Sequence, residues 1–141
     1  MVDETGKIMR RQQLDNGMEI VFYDRSRIMA GDRWIVELHC EAFIPIADSY
    51  WDSELQEDPQ VLAGIRKILG NRLVQTFSKR RNFIDGEQRE SILQEMVQQV
   101  HSGILEYLKR PNFPMRLFKK HYRDARQKVI VQEAMSRLAN D

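Results

Sequence analysis

The segment RWIVELHCEAFIPI, residues 33–46, decides the fold class because its side chains alternate between two kinds without an error. Period-two alternation is the pattern of a β-strand that buries one face. One face carries apolar residues: Trp34, Val36, Leu38, Cys40, Ala42, Ile44 and Ile46. The other face carries Arg33, Ile35, Glu37, His39, Glu41 and Phe43. We therefore expect a long strand with Cys40 in the core and His39 on the opposite face.

Two turn signals connect this strand to the chain before it. Asn16-Gly17 is the strongest short hairpin signal, because both residues accept positive φ. A second turn lies around Ala30-Gly31, and it must contain an odd number of residues if both strands are to bury their apolar faces. The odd loop that we expect places Phe22 opposite Leu38, with Gly31 left-handed at a bulge. Residues 1–46 thus predict a three-stranded antiparallel β-meander.

The remainder of the chain predicts three amphipathic helices, which form a helical half over residues 59–139. The first begins at Asp58-Pro59, an N-cap followed by a proline, and extends to the basic residues 79–81. The second covers residues 85–108, and the third is long, from about Met115 to Ala139. No linker or repeat interrupts the pattern. The sequence therefore predicts a single α+β domain over residues 1–141.

Composition narrows the class of protein. Of 141 residues, 42% are hydrophobic and 30% are charged, which is typical of a globular domain. The single cysteine excludes an internal disulfide framework and suits a reducing compartment. The first residues lack the apolar core of a signal peptide, and no run approaches the roughly 20 apolar residues of a membrane span. We expect a cytoplasmic protein that does not enter a membrane.

The charges are arranged in blocks, although the net charge of +1 argues against a generic polyanion binder. Residues 59–84 hold six basic and no acidic side chains, and residues 109–128 hold eight basic side chains and Asp124. Basic helical faces of this kind could bind nucleic acid with salt-sensitive affinity. They could equally pair with the acidic segments 41–58 and 85–95. The candidate nucleic-acid contacts are Arg66, Lys67, Arg72, Arg116, Lys119, Lys120, Arg123 and Arg126.

The polar face of the 33–46 strand offers a candidate metal or acid–base site. Glu37, His39 and Glu41 project to one side at two-residue spacing, and carboxylates with an imidazole can hold a transition metal or transfer protons. The competing interpretation is an ordinary sheet face on which Glu37 pairs with Arg25 or Arg10. No HxH or CxxC spacing accompanies the single histidine of this strand. We expect no cofactor and favour a protein that is not an enzyme.

Two further groups of residues are candidate partner contacts. Tyr50 and Trp51 lie in the acidic loop and could anchor a partner, or could fold back onto the edge of the core. The third helix is longer than a three-stranded sheet can cover, and its last apolar residues are Val131, Met135 and Leu138. We therefore expect a binding protein that forms a homodimer, or engages a protein partner, through its helical half.

One tract resembles a known group of proteins. Residues 23–27, YDRSR, and residues 31–34, GDRW, are similar to a family of small uncharacterised bacterial proteins. The resemblance implies a bacterial source and no particular activity.

Overall fold

The computed structural model describes residues 6–140 as a mostly antiparallel sheet with four helices, so the α+β class is confirmed. The predicted count of three strands is wrong, because the sheet has five. The strands are β1 (Lys7–Gln13), β2 (Glu19–Asp24), β3 (Arg27–Ala30), β4 (Arg33–Pro45) and β5 (Arg72–Asp85). The helices are α1 (Pro59–Leu69), α2 (Arg89–Ser102), α3 (Ile104–Leu108) and α4 (Phe113–Asn140).

The turn between β3 and β4 sets the register of the long hairpin. Gly31 is left-handed, with φ +59°, as expected, but Ala30 pairs with Arg33, so the loop contains two residues and the prediction of an odd loop is wrong. A bulge between Ile28 and Ala30 supplies the extra residue that keeps the apolar side chains on one face. Phe22 nevertheless lies opposite Cys40 instead of Leu38, because the turn is centred one residue later than predicted. A shift of two residues keeps every side chain on its face. The assignment of faces is therefore confirmed and the individual pairs are wrong.

The YDRSR tract makes the break between β2 and β3. The Asp24 carboxylate accepts a hydrogen bond from the Ser26 backbone N–H at 2.8 Å, which is an Asx turn. The Ser26 hydroxyl oxygen accepts one from the Glu37 backbone N–H at 3.2 Å. The Asp24 and Ser26 side chains thus satisfy backbone N–H groups at the junction between β2 and β3. Both of these short strands pair with β4.

Residues 72–85 form β5, although the sequence predicts a helix that continues to residue 81. α1 begins as expected, with the Asp58 carboxylate accepting hydrogen bonds from two backbone N–H groups. It ends at Gly70, whose φ of +67° turns the chain back. β5 pairs with β4, and their ends meet where Ile46 N–H donates to the Asn71 carbonyl at 2.9 Å. At the other end Gly86 N–H donates to the Asp32 carbonyl, so the two strands are antiparallel.

The remaining helices also differ in detail from the expected ones. The second predicted helix is interrupted at Gly103, which separates α2 from the short α3. The third is present as α4, 28 residues long. The apolar stripe expected in its first half is buried: Leu117, Phe118, Tyr122, Ala125 and Val129.

The chain divides into two compact units by its internal contacts. Unit 1 comprises Met1–Phe43 and Val74–Phe113, and unit 2 comprises Ile44–Leu73 and Pro114–Asp141. In unit 1, the Phe22 ring stacks on His101 of α2 with ring centroids 5.7 Å apart, which places α2 against the apolar face of the sheet. In unit 2, α1 packs closely against α4 at Gly64. A Cβ atom at this position would lie only 3.1 Å from a Val129 methyl group.

Candidate functional site

The polar face of β4, in unit 1, holds the three residues of the candidate metal or acid–base site. The Glu37 side chain is 12% exposed and forms ion pairs with Arg25 at 3.7 Å and with Arg27 at 3.4 Å. His39 is 8% exposed, and its Nε2 lies 3.4 Å from the Glu41 carboxylate. Glu37 is therefore engaged in cross-strand ion pairs, as the competing interpretation expects, while His39 and Glu41 contact each other.

The second ring nitrogen of His39 contacts a residue that the sequence assigned to a helix. Nδ1 lies 2.7 Å from the hydroxyl oxygen of Ser78 on β5. Both imidazole nitrogens thus have protein partners, which leaves neither of them free to ligate a metal. Across residues 6–140, no three His, Cys, Asp or Glu side chains are grouped as a metal site requires. The Glu41–His39–Ser78 chain of contacts joins β4 to β5, and Ser78 could have been found only by recognising β5.

Cys40 lies on the opposite face of β4 and is completely buried, which confirms its assignment to the core. Burial raises the pKa of its thiol to about 12, since the desolvated thiolate is disfavoured. Cys40 is accordingly an unreactive packing residue.

The two aromatic residues of the acidic loop fold back onto unit 2. Trp51 is 4% exposed and meets Phe118 edge to face, with ring centroids 5.0 Å apart. Tyr50 is half-buried and packs on the same ring at 5.5 Å. The Arg66 guanidinium lies 4.3 Å from the centroid of the Trp51 ring, a cation–π contact. Trp51 is therefore buried and does not form an exposed anchor. The alternative interpretation, in which this loop folds back onto the edge of the core, agrees with the structure.

The eight candidate nucleic-acid contacts all lie in unit 2. Some of them contact other side chains of the protein, and others form no such contact among the described residues. Arg66 covers Trp51, and Arg72 also has a partner. Arg126 donates to the Glu57 carboxylate at 2.6 Å, and Tyr122 OH donates to the same group at 3.3 Å. Arg126 holds the pKa of Glu57 below its usual 4.5. The sequence missed this cluster because Glu57 and Arg126 are 69 residues apart.

Four of the remaining cations form a continuous stripe on the first half of α4. This cationic stripe is exposed, and none of its members forms an ion pair within residues 6–140: Arg116, Lys119, Lys120 and Arg123. Spacings of three, four and seven residues place them on one helical face, where like charges repel one another. Three of them line a surface cavity of about 490 Å³ together with Glu54 and Tyr122. The stripe is thus a concentrated positive charge that forms no ion pair among the described residues, although Glu54 lines the same cavity and Asp124 lies four residues after Lys120.

The second half of α4 carries exposed apolar side chains. Val131 is 47% exposed, Met135 is 64% exposed and Leu138 is 72% exposed. Ile68 of α1, which is 45% exposed, lines a groove with Val131 and the backbone of Gly64. Exposed apolar side chains in a contiguous group are typical of a surface that another molecule covers.

No protein family, no curated protein and no solved structure matches this chain. Among the described residues, none of the helices is both long enough and apolar enough to cross a membrane.

Proposed function

We propose that this chain is a non-enzymatic binding protein that self-associates through the second half of α4. The observation that supports this function is the exposure of Val131, Met135 and Leu138, which lie in the order i, i+4, i+7. Steps of four and three residues place side chains along one seam, as in paired helices of a coiled coil. Ile68 enlarges the apolar surface beside the seam.

The described residues beside the seam carry no charge. In a heptad that places Val131 and Leu138 at d and Met135 at a, the flanking positions are Gln132, Ala134 and Ala139. Glu133 and Arg137 lie on the opposite face of the helix, since positions two residues apart do not share a face. The seam therefore presents no charge that repels a second copy, and it favours neither a parallel nor an antiparallel orientation.

The enzymatic alternative, with Glu37, His39 and Glu41 as its site, gains no support from the geometry. His39 is 8% exposed and uses both ring nitrogens within the protein. Glu37 is held by two arginines. A general base or a metal ligand needs a lone pair that a substrate or an ion can reach.

Sedimentation velocity across a wide range of protein concentration tests self-association. The dimer should form as concentration rises, and Met135→Glu together with Leu138→Glu should abolish it. The matched control is Leu55→Glu, which adds a charge at a 65% exposed leucine elsewhere in unit 2 and should leave the dimer intact. A wild-type chain that stays monomeric at every concentration would rule out the proposal.

A further inference from the structure

The cationic stripe lies on the first half of α4, apart from the residues to which the proposed function assigns self-association. We infer that it binds the phosphodiester backbone of nucleic acid. The four cations extend over about 10 Å of helix axis, at 1.5 Å per residue. A DNA duplex presents about six phosphates over that length, one per roughly 1.7 Å of its axis. The density of positive charge on the stripe is therefore comparable to the density of negative charge on the ligand.

The residues beside the stripe favour nucleic acid over an anionic membrane. A helix that lies on a lipid surface inserts apolar side chains next to its cations. In this part of α4 the apolar side chains are turned into unit 2, where Leu117 is 4% exposed, Phe118 is 0% exposed and Ala125 is 2% exposed. The stripe thus offers charge without an apolar surface for insertion.

The same packing removes the aromatic residue of the cavity as a stacking partner for bases. Tyr122, the aromatic residue of the cavity, is 5% exposed, and its hydroxyl donates to Glu57. It therefore does not stack on a base, and the inference rests on ionic contacts between the four cations and phosphates. Glu54 also lines the cavity, and its carboxylate opposes an anionic ligand.

Fluorescence anisotropy with a labelled mixed-sequence DNA duplex, titrated with the full-length chain at several salt concentrations, tests this inference. Four neutralised phosphates give a slope of about −3.6 in log affinity against log salt, which is about a hundredfold loss between roughly 50 and 200 mM salt. Lys119→Gln with Lys120→Gln should halve the slope, so that the loss becomes about tenfold. Glu54→Gln should raise the affinity.

The matched control removes two cations from unit 1. Lys109→Gln with Arg110→Gln changes the net charge by the same amount, and those two side chains contact Glu106 and the Tyr107 ring. This variant should keep the wild-type slope. Circular dichroism confirms that each variant is folded.

Three results would overturn the inference. One is binding without salt dependence, and another is a slope that both double variants lower equally. The third is binding of polyglutamate, or of vesicles containing phosphatidylserine, as tight as that of the duplex at the same salt concentration.

Discussion

Phe118→Ala tests whether the aromatic cluster of unit 2 is the core that the structure describes. Phe118 is completely buried, and three rings surround it at centroid distances of 5.0 Å (Trp51), 5.5 Å (Tyr50) and 6.0 Å (Tyr122). Truncation of a buried phenylalanine costs about 3–5 kcal/mol, from lost transfer free energy and from the cavity left behind. Because three aromatic contacts are lost as well, we expect the upper part of that range.

The assay is urea denaturation followed by tryptophan fluorescence and by circular dichroism. Trp51 lies directly against the substituted ring, so its emission should report the change. The control is Leu55→Ala, at a side chain that is 65% exposed, and it should change the unfolding free energy by less than about 0.5 kcal/mol. If Phe118→Ala lowers the unfolding free energy by less than about 1 kcal/mol, the reasoning is refuted, because a ring packed in this way cannot be lost so cheaply.

Two further predictions concern backbone strain and acid stability. Phe83 is 72% exposed and has φ +60°, a backbone conformation that costs a bulky residue about 1–3 kcal/mol. Glycine adopts this conformation without strain but loses more backbone entropy on folding, so Phe83→Gly should raise the unfolding free energy by about 1 kcal/mol. Phe83→Ala keeps the left-handed strain and should give no gain; equal effects of the two variants in urea denaturation would contradict this account. Because the folded pKa of Glu57 is lowered by Arg126, its contribution to stability is present above its usual pKa of 4.5 and is lost as pH falls through the lowered value. Glu57→Gln should therefore flatten the acid side of a stability–pH curve, and an unaltered curve would show that the ion pair has no such role.

The face of each β4 residue could be predicted from the sequence because alternation is a local property. The position of the turn could not be predicted to the residue, and Phe22 consequently pairs with Cys40 instead of Leu38. β5 was missed for a physical reason, since Leu69, Leu73 and Phe77 recur every four residues. That spacing satisfies both the helical period of 3.6 and the strand period of two.

For the candidate surfaces, too, the features that depend on neighbouring residues could be predicted, and the contacts between distant segments could not. The exposed cations at positions 116–123 and the apolar side chains at positions 131–138 follow from helical spacing, which the sequence contains. Which cations remain free does not follow from it. Arg126 is neutralised by Glu57 and Arg66 covers Trp51, and both contacts join segments that are distant along the chain.

The burial of Cys40 bears on whether a disulfide could link two copies of this chain. It is the single cysteine, it is fully buried in β4, and its thiol has a pKa raised to about 12. Disulfide exchange proceeds through an accessible thiolate, and at neutral pH the folded chain presents almost none. Two folded copies therefore cannot be joined by a disulfide through Cys40. An association through α4 would be reversible by dilution, and oxidation could act on it through the exposed Met135 of the seam, not through a thiol.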